Sequence, residues 1–483
     1  MLNNIEEIIN KLKKETNNLD DIIYREKYID KKKIYIIYNE PLTSSNKISD
    51  FIIRSLNNIK ALTTSSLYKK IKNNISNFKV KELKTYEEIC SYLHKGFTII
   101  LIENEEKAFA LETKANLNRA ISEPSTENTV RGARDSFVED FQINIGLIKK
   151  RIKTNDLWID KMEIGKYSST SIGIVYINGV VKKELVDEVK KRLNQINISG
   201  VVNSGTIKNL ITNENVKFPT ILTTERPDLV SYSLLEGKIA IVIDNSPYVL
   251  IIPAVLTDFF KTMEDQYGKN INVTFTRILK LLAFIIAIIT PAVYISLITY
   301  NQEMIPPDLL VNFAIQRDGV PFPAFVEAFI MIISFEILRE SDFRVPASAG
   351  SSLSIVGALI LGDAAVSAGI VSPIMIIVIA ITAISTLPFT ELEFTNTLRI
   401  YRLLFMLGAV FMGIIGVVVV LIIFIIGLCD IKSFGRPYLL PVVPFNLNGF
   451  KNGIIKFPLK KIKKRPQYLS NNTYEQRSDE DET

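Results

Sequence analysis

The sequence predicts an N-terminal cytosolic α/β region of two small subdomains, followed by an all-α polytopic membrane domain and a short cytosolic tail. Composition is the first reason: 47% of the 483 residues are hydrophobic although 22% are charged, which indicates a polar part joined to a membrane part. The second reason is that long uncharged stretches begin only after residue 280. The third is the mixture of strand-like and helix-like patterns before residue 265.

Two α/β subdomains are predicted, at residues 1–120 and 121–265. Short apolar runs bounded by polar or turn residues predict strands at Ile34 to Tyr38, Gly96 to Glu103, Ala108 to Thr113, Ser171 to Asn178, Lys238 to Asp244 and Tyr248 to Pro253. Amphipathic spacing predicts helices at Ser49 to Leu56 and Lys182 to Ile196. The N-terminal stretch MLNNIEEIINKLKKETNN is also amphipathic and lacks the apolar core of a signal peptide.

The membrane domain is predicted at residues 278–430. Two stretches of 20 and 26 residues without a charge are each long enough to cross about 30 Å of hydrocarbon; they are Leu281 to Tyr300 and Leu403 to Leu428. Two further apolar stretches, Phe322 to Leu338 and Pro346 to Thr390, hold few charges. We predict four full spans plus a re-entrant or broken element near Asp363, with up to six segments as the alternative.

Basic residues set the predicted orientation of the spans. Arg277 and Lys280 precede the first span, whereas Asn301 to Asp308 beyond it is acidic. The N-terminal region and the tail at residues 431–483 are therefore both predicted on the cytosolic side, with an even number of crossings. Arg399 and Arg402, just before the last span, fit this arrangement less well.

The tail is polybasic and then acidic. Its basic part is predicted to attract anionic lipids by about 1 kcal/mol per charge near the membrane surface through Lys460, Lys461, Lys463, Lys464 and Arg465. Retention of topology alone is the simpler interpretation, and the two are compatible. The acidic end, residues 478–483, is predicted to be disordered.

Catalytic and metal-binding side chains are scarce. With one histidine, His94, and two cysteines, Cys90 and Cys429, the common zinc sites and the Cys–His or Ser–His–Asp arrangements lack candidates. Cys90 and His94 lie four residues apart on a predicted helix, where a core-facing cysteine and a surface histidine are the simpler interpretation. The sequence also lacks a phosphate-binding loop and a basic stripe for nucleic acid. We therefore expect no enzyme, no cofactor and no nucleic-acid partner.

The stretch SEPSTENTVRGARDSFVEDFQINIGLIKKRI, Ser122 to Ile152, is dense in charge. Glu127, Arg131 and Asp135 follow one another at i+4 steps with alternating sign, and Thr126 is placed to cap a helix. Apolar residues continue a helical spacing at Val138, Phe141, Ile145, Ile148 and Ile152. These patterns predict an amphipathic, salt-bridged helix rather than an active site, because a nucleophile with its base is missing.

Charges and small residues inside the apolar sequence are the candidates for a membrane function. A face of small residues repeats at i+4 beside Asp363; its members are Gly350, Ser354, Ala358 and Gly362. A packing ridge is one interpretation, and an ion path lined by small residues is the other. The remaining intramembrane charges are Glu327, Glu336 and Arg339, of which the last two are three residues apart and predict an interfacial ion pair.

The long motif SEPSTENTVRGARDSFVEDFQINIGLIKKRIKTNDL resembles the signature of the GerA-type spore germination receptor A subunits. The stretches VPFPAFVEAFIMIISFEILRE, IVGALILGDAAVSAGIVSP and SFGRPYLLPVVP follow in the order that the family has, so that the resemblance covers roughly residues 120–445. Two departures are visible: Ala133 stands where the family often has proline, and Arg436 where an apolar residue is usual.

The resemblance implies a multi-pass subunit of the spore inner membrane, with its N-terminal region and tail on the core side. It implies a transporter-like B subunit and a lipoprotein C subunit as partners, a homo-oligomer, and a nutrient-gated, channel-like cation pathway. It also makes the motif an assembly or coupling element, whose matching residues are Glu123, Pro124, Glu127, Arg131, Gly132, Arg134, Phe137, Glu139, Asn144 and Arg151. A signal-relay scaffold and, less well supported, a secondary transporter remain alternatives.

Overall fold

The computed structural model describes residues 5–16, 20–29, 32–57, 71, 80–115, 124, 127, 129, 131–214, 216–342, 360–458 and 465–470. The first subdomain is built on a five-stranded antiparallel sheet with the strand order β1-β2-β4-β5-β3. Its elements are α1 (Ile5–Glu15), β1 (Ile22–Ile29), β2 (Lys32–Asn39), α2 (the consecutive turns Ser45–Lys47, Ile48–Ile53 and Arg54–Asn57), β3 (Val80–Leu83), α3 (Tyr86–His94), β4 (Phe97–Ile102) and β5 (Ala108–Glu112).

Both faces of this sheet are covered by helices. Ile37 and Ile99 point to the face under α1 and α3, while their neighbours Ile36 and Ile100 point to the face under α2. This alternation follows from the two-residue period of a strand. It also explains why β4 is apolar apart from Thr98 and is buried at every position.

The second subdomain repeats the topology of the first. Its elements are α4 (Phe141–Arg151), β6 (Leu157–Ile164), β7 (Thr170–Ile177), α5 (Lys183–Asn194), α6 (Ser204–Ile211), β8 (Leu222–Thr224), α7 (Pro227–Glu236), β9 (Ile239–Ile243) and β10 (Val249–Ile252). The antiparallel strand order β6-β7-β9-β10-β8 corresponds position by position to that of the first sheet. The helices α4 and α7 cover one face of this sheet, as α1 and α3 do in the first subdomain.

All six predicted strand stretches are strands in the structure, and the helices predicted at Ser49 to Leu56 and Lys182 to Ile196 are helical. The sequence patterns missed β1 and β6, which are edge strands with charged residues along them. An edge strand tolerates such residues because only one side of it is paired. The patterns also missed β3 and β8, which are only 4 and 3 residues long.

A buried ion cluster joins the two subdomains. The Asp21 carboxylate accepts a hydrogen bond from Lys149 Nζ at 2.9 Å and lies 2.5 Å from Lys161 Nζ. Burial alone would raise the pKa of Asp21, but the two ammonium groups hold this pKa below its ordinary value. His94 lies at the same interface, where its Nε2 contacts Asn155 Oδ1, so the expectation of a surface histidine is wrong.

The described residues between 270 and 430 are mainly helical. The helices are α8 (Asn270–Thr299), α9 (Pro307–Arg317), α10 (Ala324–Asp342), α11 (360–367), α12 (Pro373–Ile384) and α13 (Leu392–Asp430). Within the described residues, two helices are long and apolar enough to cross a membrane, namely α8 and α13. The first predicted span, Leu281 to Tyr300, lies within α8 apart from its last residue.

Helix α13 does not continue straight through the last predicted span, Leu403 to Leu428. Gly413 has φ +59° and ψ −139°, which break the helix and reverse its direction. As a result the rings of Tyr401 and Phe424 lie 4.7 Å apart, although 23 residues of straight helix would separate them by about 35 Å. The expected single span is therefore corrected to two antiparallel arms, which pack closely at Gly408 and Gly416.

The tail folds back onto the second subdomain. Ser433 Oγ donates to the Thr220 carbonyl at 2.8 Å, and the Tyr438 carbonyl accepts from Leu256 N–H at 2.9 Å. A β-bridge between Val181 and Ser470 fastens the far end. The tail predicted from residue 431 is thus, in its described residues 431–458 and 465–470, packed on the soluble region.

Replacing Asp21 by asparagine is expected to destabilise the full-length chain by about 3–5 kcal/mol at neutral pH, because Lys149 and Lys161 lose their buried counter-charge. Since folding lowers the Asp21 pKa, its contribution is complete above the unfolded value of 3.8 and disappears as pH falls through the lower folded value. Thermal unfolding at neutral and acidic pH measures both effects. The matched control is Asp20→Asn, since Asp20 is exposed; equal melting temperatures for the two variants would contradict the prediction.

Candidate functional site

The charged motif is extended where the sequence predicted a helix. Residues 131–140 have no regular secondary structure, and α4 begins at Phe141 with Asp140 as its cap, whose Oδ1 accepts from Ile143 N–H at 2.9 Å. The predicted helix through Glu127, Arg131 and Asp135 is therefore wrong. Thr126 and Glu123 lie outside the described residues. Local i+4 charge pairs stabilise a helix by only a few tenths of a kcal/mol, so long-range partners readily override them.

Arg226, buried between β8 and α7, is the main long-range partner. Its Nη1 donates to the Glu127 carbonyl at 3.0 Å and to Thr129 Oγ1 at 3.1 Å, and its Nη2 donates to the Ala133 carbonyl at 3.1 Å. Asp228 completes the shell by a bidentate ion pair at 2.7 and 3.1 Å. A planar guanidinium with five donors suits this task, because it binds several oxygens in fixed directions. We call this arrangement the Arg226 clamp.

Helix α4 holds the other end of the motif. Arg151 Nη2 donates to both carboxylate oxygens of Asp135, at 2.6 and 2.7 Å. The buried Asn144 side chain accepts from Val138 N–H and donates to the Val138 carbonyl. Phe137 is buried in the core under α4. These three predicted motif residues thus share one role, which is to fasten an extended segment to the second subdomain.

The remaining motif residues divide between packing and exposure. Pro124 is buried, whereas the side chains of Arg131, Arg134 and Glu139 are exposed. Gly132 has φ +150°, and a Cβ there would lie 3.2 Å from Arg226 Nη2, so the clamp requires a glycine. The exposed charged side chains of the motif therefore point outward, while Arg226 holds the motif backbone on the opposite side.

The motif ends at a small cavity of about 100 Å³ at the junction of the soluble and helical parts. Its walls come from the motif, from α7, from the loop before α8 and from the start of α13; among them are Glu127, Arg226, Tyr232, Lys261, Phe259 and Glu391. Room for several waters and a mixture of charged and aromatic walls make it a polar joint rather than a packed core. Sequence patterns did not indicate Arg226 or Glu391, because the motif partners of Arg226 lie 93–99 residues away and Lys208, the partner of Glu391, lies 183 residues away.

Glu127 is the unusual carboxyl group of this cavity. Burial raises its pKa to about 7, and the carboxylates of Glu225 and Glu391 add to the shift, while Thr224 and Arg226 oppose it. By contrast Asp258, although fully buried, has its pKa lowered to about 2 because Lys238 and Lys261 neutralise it. Glu127 therefore changes its charge near neutral pH at the joint.

Ion pairs and stacked rings connect this joint to the helices. Lys208 Nζ lies 2.9 Å from Glu391 and 2.8 Å from Glu393, which flank the start of α13. The Phe259 and Phe394 rings stack at 4.9 Å. These contacts join the second subdomain directly to the first turn of α13, so that a displacement of one would move the other.

The three charges predicted to lie within the membrane, Glu327, Glu336 and Arg339, each have a partner. Glu327 Oε2 accepts from Ser372 N–H and Oγ, both at 2.9 Å, and Arg317 Nη2 lies 3.2 Å from Glu327 Oε1. Glu336 pairs with Arg399 at 3.0 Å rather than with Arg339, which corrects the predicted i+3 pair. Arg339 instead donates to Thr395 Oγ1 at 3.4 Å. Helices α10 and α13 are therefore joined through charge.

The two other predicted sites are only partly described. Gly350, Ser354 and Ala358 lie outside the described residues, whereas Gly362 packs against Ile376 and Asp363 is exposed on α11. Of the predicted lipid-facing basic residues, Lys460, Lys461, Lys463 and Lys464 also lie outside. Arg465 is buried and donates to the Leu235 carbonyl at 2.7 Å, so its predicted contact with lipid is wrong. Among the described residues, His, Cys, Asp and Glu form no group of three placed to hold a metal.

Comparisons with known proteins all point to one family. The profile described as Bacillus/Clostridium GerA spore germination protein matches residues 10–468. Spore germination protein KA of Bacillus subtilis is 39% identical over 95% of this chain and 85% of its own length. Spore germination protein GerLA of Bacillus cereus is 33% identical over 96% of each chain. The crystal structure of the N-terminal domain of the A subunit of the Bacillus megaterium spore germinant receptor GerK3 is 28% identical and covers 53% of this chain and 96% of its own, with a TM-score of 0.42.

Replacing Glu127 by glutamine is expected to flatten the pH dependence of stability. Since folding raises the Glu127 pKa from 4.5 to about 7, its carboxyl stabilises the fold fully below pH 4.5, and this contribution is lost as pH rises through about 7. E127Q should therefore become more stable relative to the natural chain as pH increases from 5 to 8, as measured by thermal unfolding. Glu139→Gln, at an exposed carboxylate of the same motif, should show no such trend; a trend of equal size there would refute the assignment.

Replacing Arg226 by methionine is expected to release the motif backbone while the two sheets remain folded. The exposed Arg131 and Arg134 would then become faster sites of tryptic cleavage, because three carbonyl and hydroxyl acceptors lose their donor. The cleavage rate at these two residues, identified by mass spectrometry, measures this. Arg436→Met, which removes a surface pair with Glu184, is the control. Unchanged cleavage in R226M would show that the clamp is dispensable.

Proposed function

Because the chain belongs to the Bacillus/Clostridium GerA family of spore germination proteins, we propose that it is the A subunit of a nutrient-responsive germinant receptor in the spore inner membrane. Family membership establishes a role in spore germination; the receptor mechanism is the proposal. The observation that carries it is the charged joint at which the Arg226 clamp, the cavity and the first turn of α13 meet.

The joint supports a role in coupling. The outward side chains of Arg131 and Glu139 are exposed and can contact a partner. The backbone behind them is held by Arg226, which belongs to the same loop-and-helix unit that lines the cavity. Lys208 then connects this unit to α13. A partner that shifts the motif would therefore bias the position of α13, which is the physical content of a coupling element.

A cation pathway in the helical part is the second element of the proposal. The stretch from Gly350 to Asp363 supplies small residues and a carboxylate, a combination that admits close packing and attracts cations. We propose that copies of this chain assemble into a homo-oligomer with that stretch along the pathway. Anionic lipids beside the basic stretch Lys460 to Lys464 would favour the membrane-bound form.

A transporter-like B subunit and a lipoprotein C subunit are the proposed partners. Both ends of α13 lie at the soluble region, since Glu391 pairs with Lys208 and Ser433 bonds to Thr220. This supports a topology in which the N-terminal region and the tail share one side, which we propose to be the core side. The number of crossings between them would then be even.

An assembly and signal-relay scaffold without a pore of its own is the alternative. The exposed Arg131 and Glu139 favour it, because they suit a protein contact whether or not the helices conduct. A secondary transporter is less well supported, since the repeat that the structure describes lies in the soluble subdomains.

Reconstitution tests the conducting role. Vesicles that contain the chain with its B and C partners should release cations when the germinating nutrient is added. Asp363→Asn and Ala358→Leu should reduce this release, because one removes the carboxylate and the other fills the small-residue face. Asp308→Asn, at an exposed carboxylate on α9, is the matched control and should conduct normally.

The outcomes separate the two functions. Normal release by D363N and A358L would refute the assignment of the pathway to this stretch. If charge reversal at Arg131 or Glu139 dissociates the partners while the chain stays folded, the scaffold role is supported. Spores that lack the gene and still respond normally to all nutrients would refute the receptor role itself.

A further inference from the structure

An apolar seam runs along the outer side of the first half of α8. Five of its side chains follow one another at steps of 4, 3, 4 and 3 residues and are exposed by 84, 62, 43, 49 and 44%; they are Ile271, Phe275, Ile278, Leu282 and Ile285. This heptad spacing is the pattern of the a and d positions of a coiled coil. The residues between them that face inward are Val273, Arg277, Lys280 and Phe284, which are buried. The seam therefore points away from the rest of its own chain.

The start of this seam stands outside the hydrocarbon layer. Arg277 lies on the opposite face, where it pairs with Asp265 at 2.7 Å and donates to the carbonyls of Asn452 and Gly453. These partners belong to the loop before α8 and to the tail, so this part of the helix is level with the soluble region.

The length of α8 also places the start of the seam outside the hydrocarbon layer. The 30 residues of α8 extend about 45 Å, whereas the hydrocarbon layer is about 30 Å thick. Placing the whole helix inside that layer needs a tilt of about 48°, beyond the usual range of up to about 40°. Ile271 and Phe275 therefore lie beyond the hydrocarbon layer, where a protein surface covers them better than lipid tails do.

We propose that this seam packs against the same seam of a second copy of the chain. The inference deepens the proposed function, since it rests on the proposed homo-oligomer and names the surface that forms it. Copies in one membrane share their orientation, so their α8 helices run parallel, as a coiled coil with a symmetric a/d seam requires. The exposed residues beside the seam, Asn272, Thr276 and Leu279, are uncharged, so no charge repels an identical helix or selects a different one.

Cysteine cross-linking in native membranes tests the contact. In the full-length chain with Cys90→Ala and Cys429→Ala, Phe275→Cys and Ile278→Cys should each form a disulfide-linked dimer under mild oxidation. Equivalent residues across such a seam approach within the Cα distance of about 4.4–6.8 Å that a disulfide needs. Thr276→Cys is the matched control, because Thr276 is equally exposed but lies off the seam. Cross-linking several-fold stronger at residues 275 and 278 than at 276 is the expected result.

Equal cross-linking at all three positions, or none at residues 275 and 278, would overturn the proposal. Lipid as the occupant is tested separately in the Trp158→Phe background, where Phe275→Trp fluorescence should resist quenching by brominated lipid tails; strong quenching would also overturn it. Phe275→Glu with Ile278→Glu should reduce the oligomer mass in detergent, while Trp158 fluorescence reports that the second subdomain stays folded. If the seam fails these tests but nutrient still triggers cation release, the receptor role stands and only this interface is wrong.

Discussion

The buried guanidinium of Arg226 is the contact on which the arrangement of the soluble region and the helices depends. It gathers the Glu127 and Ala133 carbonyls, Thr129 and Asp228 around one side chain. Without it, the Glu127 and Ala133 carbonyls and the Thr129 hydroxyl would lose their donor, at a cost of about 0.5–1.5 kcal/mol for each hydrogen bond. The clamp thus holds an irregular segment where a helix would otherwise be the natural choice, and it sets the wall of the junction cavity.

Buried ion pairs recur at each joint of the molecule. Asp21 with Lys149 joins the subdomains, Lys208 with Glu391 joins the second subdomain to α13, and Arg277 with Asp265 joins the tail and loop to α8. Such pairs add little net stability, because removing charges from water costs about as much as their attraction returns. They are specific in geometry, however, and a joint made of them can take up discrete positions. Each subdomain has an apolar core, and charged contacts join the parts to one another. A protein that transmits movement needs this combination.

The repeated topology of the two subdomains has a further consequence. Both sheets have the same strand order and the same pair of helices on one face, and within the described residues it is the second that meets the clamp, the cavity and the helices. The first contacts the second through α4 and the Asp21 cluster. Helix α4 is therefore an element that both subdomains share.

The sequence by itself determined the elements whose causes are local. Uncharged stretches located α8 and α13, alternating apolar residues located the central strands, and long motifs identified the family. It also indicated that the motif carries contacts rather than chemistry, since one histidine leaves catalysis without partners. These inferences rest on periodicity and composition, which operate over a few residues at a time.

Only the tertiary structure decided what long-range partners impose. It replaced the predicted motif helix by an extended segment because Arg226, nearly a hundred residues away, outweighs i+4 pairs of a few tenths of a kcal/mol. It moved the partner of Glu336 from Arg339 to Arg399, since side chains of neighbouring helices lie as close as those of one helix. It folded α13 back at Gly413, whose backbone angles break the helix. It also buried Arg465, because this side chain donates to the carbonyl of Leu235, a partner that no local sequence pattern contains.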